Sequence, residues 1–314
     1  MLPAIPVIVA IVVINFILMQ LAGGDVVDVL AGEAGSATEE YMAELRRKYG
    51  LDQPWYVQLF AYMKNLLFLD LGYSHRFELP VSELIMERMS PTLILMITTL
   101  IVSVGLGCLL GFLAAINLNT WRDSLISVFA LVSYATPMFW AGLMFIVVFS
   151  IRLDWVPTSG METIGAFYEG WDRFWDIAWH LILPAGTLSL FYLAFYTRMM
   201  RAAMLEQADM DYATTARAKG LTERRITFRH VLRNALLPIV TVVGLQTGAL
   251  FGGSVIVESV FSWPGLGLLA YESLFARDLN LLLGIFFISA CLVVAVNITI
   301  DVLYTFLDPR IQQE

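Results

Sequence analysis

Six stretches of the sequence contain no Asp, Glu, Lys or Arg and are long enough to cross a lipid bilayer as helices. Each exceeds the roughly 18 residues at which a spanning helix becomes the preferred interpretation of an apolar run. A core helix of a soluble protein needs a polar face, and these runs lack one. The sequence therefore predicts an all-α, polytopic membrane protein with six transmembrane helices, at residues 2–24, 91–121, 124–151, 177–197, 234–257 and 279–300.

The composition supports this interpretation. Of the 314 residues, 59% are hydrophobic and 15% are charged, whereas a soluble domain has roughly 45–50% apolar and about 25% charged residues. The two cysteines, Cys108 and Cys291, lie in separate predicted helices, where packing is a better interpretation than a disulfide or a metal site. We therefore expect membrane lipid around the chain, and neither a metal centre nor a nucleic-acid partner.

The distribution of basic residues predicts which side each loop faces. With six spans both termini lie on one side, and the segments on that side (117–123, 198–233 and 302–314) hold 10 Lys and Arg residues. The opposite segments hold 5 near the helix ends, where such residues determine orientation. Both termini are therefore expected in the cytoplasm. The whole chain, 1–314, is expected to form one transmembrane domain, with a long periplasmic segment at about 23–90 and a cytoplasmic loop at about 205–235.

The first predicted span and the segment after it have features of their own. The run 2–24 has no basic residue before it and no evident cleavage site, so we interpret it as a retained helix and not as a secretory signal. Residues 38–48 predict a short polar helix that stops at Tyr49-Gly50. After Pro54, apolar residues at helical spacing predict an amphipathic helix, which either lies on the membrane surface or packs against the spans.

Two outer segments leave alternatives open. The uncharged run 259–271 is too short to span and is interrupted at Pro264-Gly265, so we interpret it as an interfacial or re-entrant loop. His180, at the membrane edge, is expected to be structural. The outer aromatic residues are interpreted mainly as a belt at the membrane interface, although a contact surface for another protein has the same composition; they are Trp155, Tyr168, Trp171, Trp175 and Trp179.

The loop between the fourth and fifth predicted spans is polar but patterned. Asp211 is predicted to cap a short helix at 212–219, and Gly220 suits the left-handed position that follows a helix. Thr222 is predicted to cap a second helix with arginines on one face, and Pro238 to mark the start of the fifth span. Two interpretations stay open: a basic surface that meets anionic lipid, or a rigid docking element for a soluble partner.

The sequence of this loop resembles the EAA loop of the permease subunits of ABC importers. The matching residues are Tyr-Ala-Thr-Thr-Ala-Arg-Ala-Lys-Gly-Leu at 212–221 and His-Val-Leu-Arg-Asn-Ala-Leu-Leu-Pro at 230–238. Thr214-Thr215-Ala216 stands where the general pattern has Glu-Ala-Ala, and this departure is typical of the dipeptide/oligopeptide/nickel family. That family's other motifs have counterparts in order along the chain, at 50–54, 70–74, 137–140, 257–267 and 308–310.

The resemblance implies the permease subunit of a type I importer in the bacterial cytoplasmic (inner) membrane, similar to the first of the family's two permeases. It implies a homologous second permease, one or two cytoplasmic ATPase subunits that bind ATP and Mg²⁺, and a periplasmic or lipid-anchored solute-binding protein. This chain has no phosphate-binding loop of its own, so it is predicted to bind no nucleotide and to catalyse no reaction. The coupling helix that docks into the ATPase would comprise Asp211, Tyr212, Ala213, Thr214, Thr215, Ala216, Arg217, Ala218, Lys219, Gly220 and Leu221.

Polar groups within the spans are candidates for the translocation path, because they are costly in lipid and usually face a cavity or the bundle interior. We select Gln246, Thr136 and Asn297. Gln246 lies among glycines, for which static helix packing is an equally open interpretation. Thr136 precedes Pro137, which is expected to kink the third helix. Asp301 is close enough to the cytoplasmic end to reach water.

Three other classes of membrane protein fit the sequence less well. An intramembrane protease needs a facing pair of Asp residues or a deep Ser/His pair, and an ion-driven carrier needs charges within its spans; the sequence suggests neither. A non-transporting scaffold remains an alternative, with the patterned loop as its partner site. The cargo stays open among peptides, glutathione, nickel chelates and some sugars, because this family usually assigns that choice to the binding protein.

Overall fold

The structure is a computed structural model that describes residues 4–21, 39–48, 52–74 and 76–307. The described part is helical apart from one short antiparallel hairpin, β1 (Tyr73–Ser74) with β2 (Leu79–Pro80). The helices are α1 (Ala4–Leu21), α2 (Glu39–Lys48), α3 (Trp55–Leu67), α4 (Val81–Ile116), α5 (Trp121–Ala135), α6 (Met138–Phe145, continued by π-helical turns over Ile146–Arg152), α7 (Gly170–Ala208), α8 (Asp211–Ala218), α9 (Glu223–Ile226, continued by a π-helical turn over Thr227–Val231), α10 (Leu232–Phe261), α11 (Leu266–Phe275) and α12 (Leu279–Leu307).

Several helices are long and apolar enough to cross a membrane. Four helical segments are long and apolar enough on their own: Val81–Ile116, Gly170–Ala208, Glu223–Gly244 and Leu279–Thr299. Two further pairs of segments are long and apolar enough only when taken together, and each pair is sharply bent. They are Trp121–Ala135 with Met138–Arg152, bent by 104°, and Gly248–Phe261 with Leu266–Phe275, bent by 75°. The described residues thus hold up to six spans if each bent pair counts as one, while α1 contributes a shorter apolar stretch, Pro6–Leu18. The predicted all-α, polytopic class is confirmed.

One predicted helix start is wrong, because Pro238 lies inside α10. Pro91, the first residue of the uncharged run 91–121, also lies inside a helix, α4, which begins at Val81. A proline is a poor helix start signal in a membrane protein, because neighbouring helices and local backbone adjustment satisfy the carbonyl that it leaves free. Pro137, in contrast, does mark a break, since it is the N-cap of α6 at the 104° bend. The Tyr49-Gly50 stop lies outside the described residues.

One compact unit comprises Met1–Glu87 and Glu272–Val294. Val12 of α1, Leu66 of α3 and Phe287 of α12 are buried together at its centre. Because α3 buries Leu66 here while Trp55 and Phe60 are exposed, α3 packs through one face only. One face of α3 therefore packs against the neighbouring helices, as one of the two interpretations of the sequence expected, and the other face is exposed to lipid or water.

The β hairpin of this unit is bonded to the start of α12. Ser74 is fully buried, and its hydroxyl donates to Asp278 Oδ2. The other carboxylate oxygen, Asp278 Oδ1, accepts from the backbone N–H of Leu281 at 3.0 Å, in the first turn of α12. Asp278 thus caps the last span in the manner expected of an aspartate at a helix start, and the hairpin holds Asp278 in place.

A second compact unit comprises Arg88–Tyr271 and Ala295–Glu314, of which the structure describes residues 88–271 and 295–307. Its apolar core is centred on α7, whose Leu188, Tyr196 and Met200 are fully buried. Gly107 and Gly111 of α4 face this helix closely: a Cβ at Gly107 would lie 2.7 Å from Tyr196 Cβ, and one at Gly111 would lie 2.7 Å from Met200 Cβ. Glycines spaced in this way allow two membrane helices to approach to backbone contact.

Within this unit, residues 223–261 are helical without interruption through α9, the π-helical turn and α10. The predicted second helix of the cytoplasmic loop is therefore the beginning of the following span. At about 1.5 Å per residue, this stretch is about 58 Å long.

Candidate functional site

Helix α8 is held against the second unit by its small buried residues. Ala213 is fully buried and Ala216 is 6% exposed, and both belong to the apolar core. Tyr212 is half-buried, and its hydroxyl donates to Gln207 Oε1 at 2.8 Å, at the end of α7. Because alanine has no side chain beyond Cβ, α8 packs directly on its neighbours with its backbone close to them. This explains two of the alanines of the motif at 212–221, Ala213 and Ala216.

The opposite face of α8 is exposed and made of short side chains. Asp211, Thr214, Thr215 and Ala218 are all exposed and are spaced as one helical face. Lys219 follows at the C-cap, also exposed. A convex, short-chained surface of this kind suits insertion into a groove, because little side-chain entropy is lost when it becomes buried.

Arg217 braces the loop from within. Its Nε donates to Glu223 Oε1 at 2.9 Å, and its Nη1 donates to the carbonyl oxygen of Ala208 at 3.2 Å. These bonds join the end of α7, the end of α8 and the start of α9. Arg217, one of the residues of the expected coupling helix, is thus paired within the chain while its side chain stays partly exposed.

The turn after α8 forms as predicted, but the cap before it does not. Gly220 has φ +79°, the left-handed conformation expected of a glycine after a helix. Leu221, half-buried, donates its N–H to the carbonyl oxygen of Ala216 at 3.2 Å and closes the turn. Asp211, however, is the first helical residue; Met210 occupies the N-cap position, and no side chain bonds there. Thr222 does occupy the N-cap of α9, also without a side-chain bond.

An ion pair joins α7 to α5 within the same unit. Arg201, near the end of α7, donates from Nε to Asp123 Oδ1 at 2.7 Å and from Nη2 to Asp123 Oδ2 at 2.9 Å. Asp123 is nearly buried in the first turn of α5 and also accepts from the N–H of Asn119 at 3.1 Å. The sequence analysis missed this pair, since nothing local links residues so far apart in the chain.

The three candidates for the translocation path lie in different surroundings. Thr136 lines an apolar groove of 470 Å³ at the bend between α5 and α6, with Val132, Ala135, Pro137 and Trp140. Neither Gln246 nor Asn297 is among the residues that line this groove. Gln246 is half-buried in α10. Asn297 has a buried Oδ1 without a hydrogen-bond partner among the described residues. In the described part of the chain, the groove at Thr136 thus includes neither of the other two candidates.

The structure also places His180 and three of the tryptophans that were named from the sequence. His180 is 7% exposed, and its Nδ1 lies 2.8 Å from the carbonyl oxygen of Asp176 one turn earlier, consistent with a structural role. The outer tryptophans Trp155, Trp171 and Trp175 are exposed. Within the described ranges, no group of three or more His, Cys, Asp or Glu side chains is placed to hold a metal ion.

A buried carboxylate was not predicted from the sequence. Glu258 lies inside α10 and is completely buried. Its position in the motif at 257–267 was a signal that could have drawn attention to it, since charged groups in such surroundings are costly and usually have a role.

Comparison with known proteins gives three consistent findings. Residues 107–313 match the sequence profile of a family described as "Binding-protein-dependent transport system inner membrane component". The chain is 41% identical over 311 residues to the oligopeptide transport system permease protein AppB of Bacillus subtilis, covering 98% of this chain and 96% of that protein. It is 35% identical over 322 residues to the dipeptide transport system permease protein DppB of Alkalihalophilus pseudofirmus, covering 98% of this chain and 96% of that protein.

Solved structures support the fold. A chain in the inward-facing MetNI methionine ABC transporter aligns with 72% of this chain and 97% of its own length, with a TM-score of 0.58 and 16% identity. A chain of an amino acid ABC transporter crystallised with histidines aligns with 73% of this chain and 94% of its own length, with a TM-score of 0.51 and 16% identity. At these identities the likeness concerns the arrangement of helices alone.

Proposed function

Since this chain belongs to the family of binding-protein-dependent transport system inner membrane components, we propose that it is the permease subunit of an ATP-driven importer of peptides or peptide-like solutes. The family places it in the inner membrane as a multi-pass protein that works with an ATPase and a binding protein. Support for a peptide cargo comes from relatives named for oligopeptide and dipeptide transport, each similar over nearly the whole chain. Nickel chelates and glutathione are the alternatives within the family.

The exposed face of α8 is the observation that supports the mechanism. Asp211, Thr214, Thr215 and Ala218 form a short-chained knob, and the buried alanines and the Arg217 brace hold this knob rigidly. A rigid knob passes on the motion of its partner, whereas a flexible loop would absorb it. We assign α8 as the coupling helix that docks into a cytoplasmic ATPase subunit, which binds ATP and Mg²⁺ and drives alternating access.

The remaining partners follow from the same assignment. The whole chain, 1–314, acts as one transmembrane domain beside a homologous second permease, as the first of the two. Both termini face the cytoplasm, and a periplasmic or lipid-anchored binding protein delivers the solute on the other side. Gln246, Thr136 and Asn297 are assigned to the path that this pair of permeases encloses.

The assignment of α8 is tested by a bulky substitution on its exposed face. Thr215→Trp leaves the buried Ala213 and Ala216 untouched and should lower the amount of ATPase that co-purifies with the permease pair by at least about tenfold. The matched control is Thr158→Trp, because Thr158 is an exposed threonine in the loop between α6 and α7. Equal ATPase recovery from both variants would contradict docking through α8.

Transport itself is tested by reconstitution in liposomes. The permease pair with ATPase and binding protein should take up labelled peptide only when ATP is present. Uptake by this chain alone would instead indicate an independent carrier. A complex that binds its ATPase and moves no solute in the series of peptides, glutathione and nickel chelates would favour the scaffold alternative.

A further inference from the structure

The buried carboxylate of Glu258 lies at the bend between α10 and α11. Glu258 is completely buried, as are Thr92 of α4 and Leu266, the first residue of α11. Thr92 Oγ1 donates to Glu258 Oε1 at 2.9 Å, and Glu258 Oε2 accepts from the N–H of Leu268 at 2.9 Å. The N–H of Leu266 in turn donates to Thr92 Oγ1 at 2.7 Å. Both carboxylate oxygens and the hydroxyl are thus fully engaged.

These contacts make Glu258 a cap for α11 supplied from another helix. The first N–H groups of a helix have no partner within it, and they form the positive end of the helix dipole. Here Thr92 and Glu258 accept from two of these groups, at Leu266 and Leu268. A negatively charged or acceptor side chain is favourable at such an end, the more so where water is excluded.

The backbone around the bend is shaped to bring α11 onto this carboxylate. Ser262 has φ +50° and ends α10, so the chain turns back within a few residues. A Cβ at Gly265 would collide with the Glu258 carboxylate and with Thr92 Oγ1, and one at Gly267 would lie 2.7 Å from Val255 Cα. The two glycines therefore permit a contact that no other residue at these positions would allow.

A second bond ties the same bend to α4. Trp263 is fully buried, and its Nε1 donates to the carbonyl oxygen of Pro91 at 2.9 Å, while its backbone N–H donates to the carbonyl oxygen of Glu258 at 2.9 Å. The segment between α10 and α11 is therefore bonded to two consecutive residues of α4, Pro91 and Thr92. Such a connected, water-excluded network resists separation of the three helices, because each broken bond would leave a buried group without a partner.

We propose that Glu258 is a positioning residue for transport, and that it holds the first turn of α11 and Thr92 of α4 in one rigid body that moves as a unit during the cycle. This rests on the proposed function, since it assigns the residue a part in that cycle. A glutamine at 258 would present an N–H₂ group either to the N–H of Leu268 or to the Thr92 hydroxyl. In either case one acceptor is lost, although the shape of the side chain is kept.

The test uses the complete complex and three variants, Glu258→Gln, Thr92→Val and Thr92→Ser. Thr92→Val keeps the size of the side chain and removes the hydroxyl, whereas Thr92→Ser keeps the hydroxyl and removes a methyl group. We expect Glu258→Gln and Thr92→Val each to lower peptide uptake about tenfold while basal ATPase activity stays within about twofold. Thr92→Ser should stay close to wild type, and the double variant should be no worse than the poorer single one.

Hydrogen exchange at Leu266 and Leu268 provides a reading independent of transport. Both amides should exchange faster in Glu258→Gln and Thr92→Val and should stay protected in Thr92→Ser. Unchanged exchange in Glu258→Gln, or wild-type uptake by Thr92→Val, would overturn the proposal, as would equal impairment of Thr92→Ser and Thr92→Val. If Glu258→Gln does not assemble, the Thr92 pair decides alone. A wild-type complex that hydrolyses ATP without uptake would overturn the proposed function, and the exchange rates would still decide whether Glu258 holds α11.

Discussion

Asp123 and Arg201 form an ion pair that joins two helices of the second unit, α5 and α7. The two side chains meet through two hydrogen bonds of 2.7 and 2.9 Å. Their exposure is unequal, at 7% for the Asp123 side chain and 31% for Arg201. Removing the arginine therefore leaves a carboxylate with little access to water, bonded to the Asn119 N–H and the Ser127 hydroxyl but with no positive partner, whereas removing the carboxylate leaves a guanidinium that can still be hydrated.

Replacement of the two partners should accordingly be asymmetric. Arg201→Met should lower the free energy of unfolding by about 1–3 kcal/mol, and Asp123→Asn should lower it by less. Thermal unfolding of the detergent-solubilised protein measures both. Arg122→Gln is the control, because the adjacent Arg122 is exposed and lies over the Trp121 ring. Equal losses in the free energy of unfolding for Arg201→Met and Arg122→Gln would show that the ion pair contributes nothing to stability.

At this scale, local backbone requirements were predictable and distant contacts were not. Gly220 was correctly placed because a left-handed residue after a helix is recognisable from its neighbours alone. The role of Glu258 was not predicted, since its partner Thr92 is far away in the chain. The exposed face of α8 was predictable in part. The helix itself was predicted, but which of its residues are buried alanines and which are exposed threonines depends on the core against which it packs.

Among the elements, the crossing of α4 and α7 depends on two glycines. A Cβ at Gly111 would lie 2.7 Å from Met200 Cβ and closer still to the carbonyl oxygen of Thr197. We expect Gly111→Ala to force the helices apart and to destabilise the protein by about 1–3 kcal/mol. Gly105→Ala, on the same helix, meets nothing within 4 Å and should be neutral or slightly stabilising. A common thermal unfolding experiment compares the two, and equal effects would refute close packing at Gly111.

The start of the last span offers a second prediction about an element. Asp278→Ala removes the cap of α12 and the acceptor of the Ser74 hydroxyl together. It should destabilise the first unit by about 0.5–2 kcal/mol. Ser74→Ala should cost less, because the carboxylate would still accept from Leu281. Hydrogen exchange of the first turn of α12 should increase in the order wild type, Ser74→Ala, Asp278→Ala, and a reversed order would contradict the assignment of Asp278 as the cap.

The helices themselves were predictable from the apolar runs, whereas their ends were not. Apolar length predicts that a segment crosses the bilayer but not where its helix begins: α10 contains the predicted start Pro238, and α4 begins ten residues before the uncharged run 91–121. The sharp bend at Pro137 was predictable only as a kink, because its 104° angle depends on the helices packed around it. The spans, which reflect the lipid environment, can therefore be predicted from the sequence. The helix ends and bends, which depend on packing between helices, cannot.

At the scale of the whole molecule, the predicted orientation is open to a direct test. In a variant without Cys108 and Cys291, a single cysteine is introduced at Thr158 or at Thr215, both exposed. Thr158→Cys should react with a membrane-impermeant maleimide in spheroplasts with an intact inner membrane, and Thr215→Cys only after that membrane is permeabilised. The opposite pattern would mean that the termini face outward.

Residues 223–261 form one uninterrupted helical stretch, which we expect to transmit a tilt from one end to the other. One end adjoins α8 through the Arg217–Glu223 bond, and Glu258 lies near the other. Because the stretch is about 58 Å long, a tilt of only about 5° about the end at Glu223 would displace the end at Phe261 by about 5 Å. If α8 docks as proposed, a small rotation there would be amplified geometrically at Phe261 into a displacement as wide as an amino-acid side chain, with no need for the helix to bend or unwind.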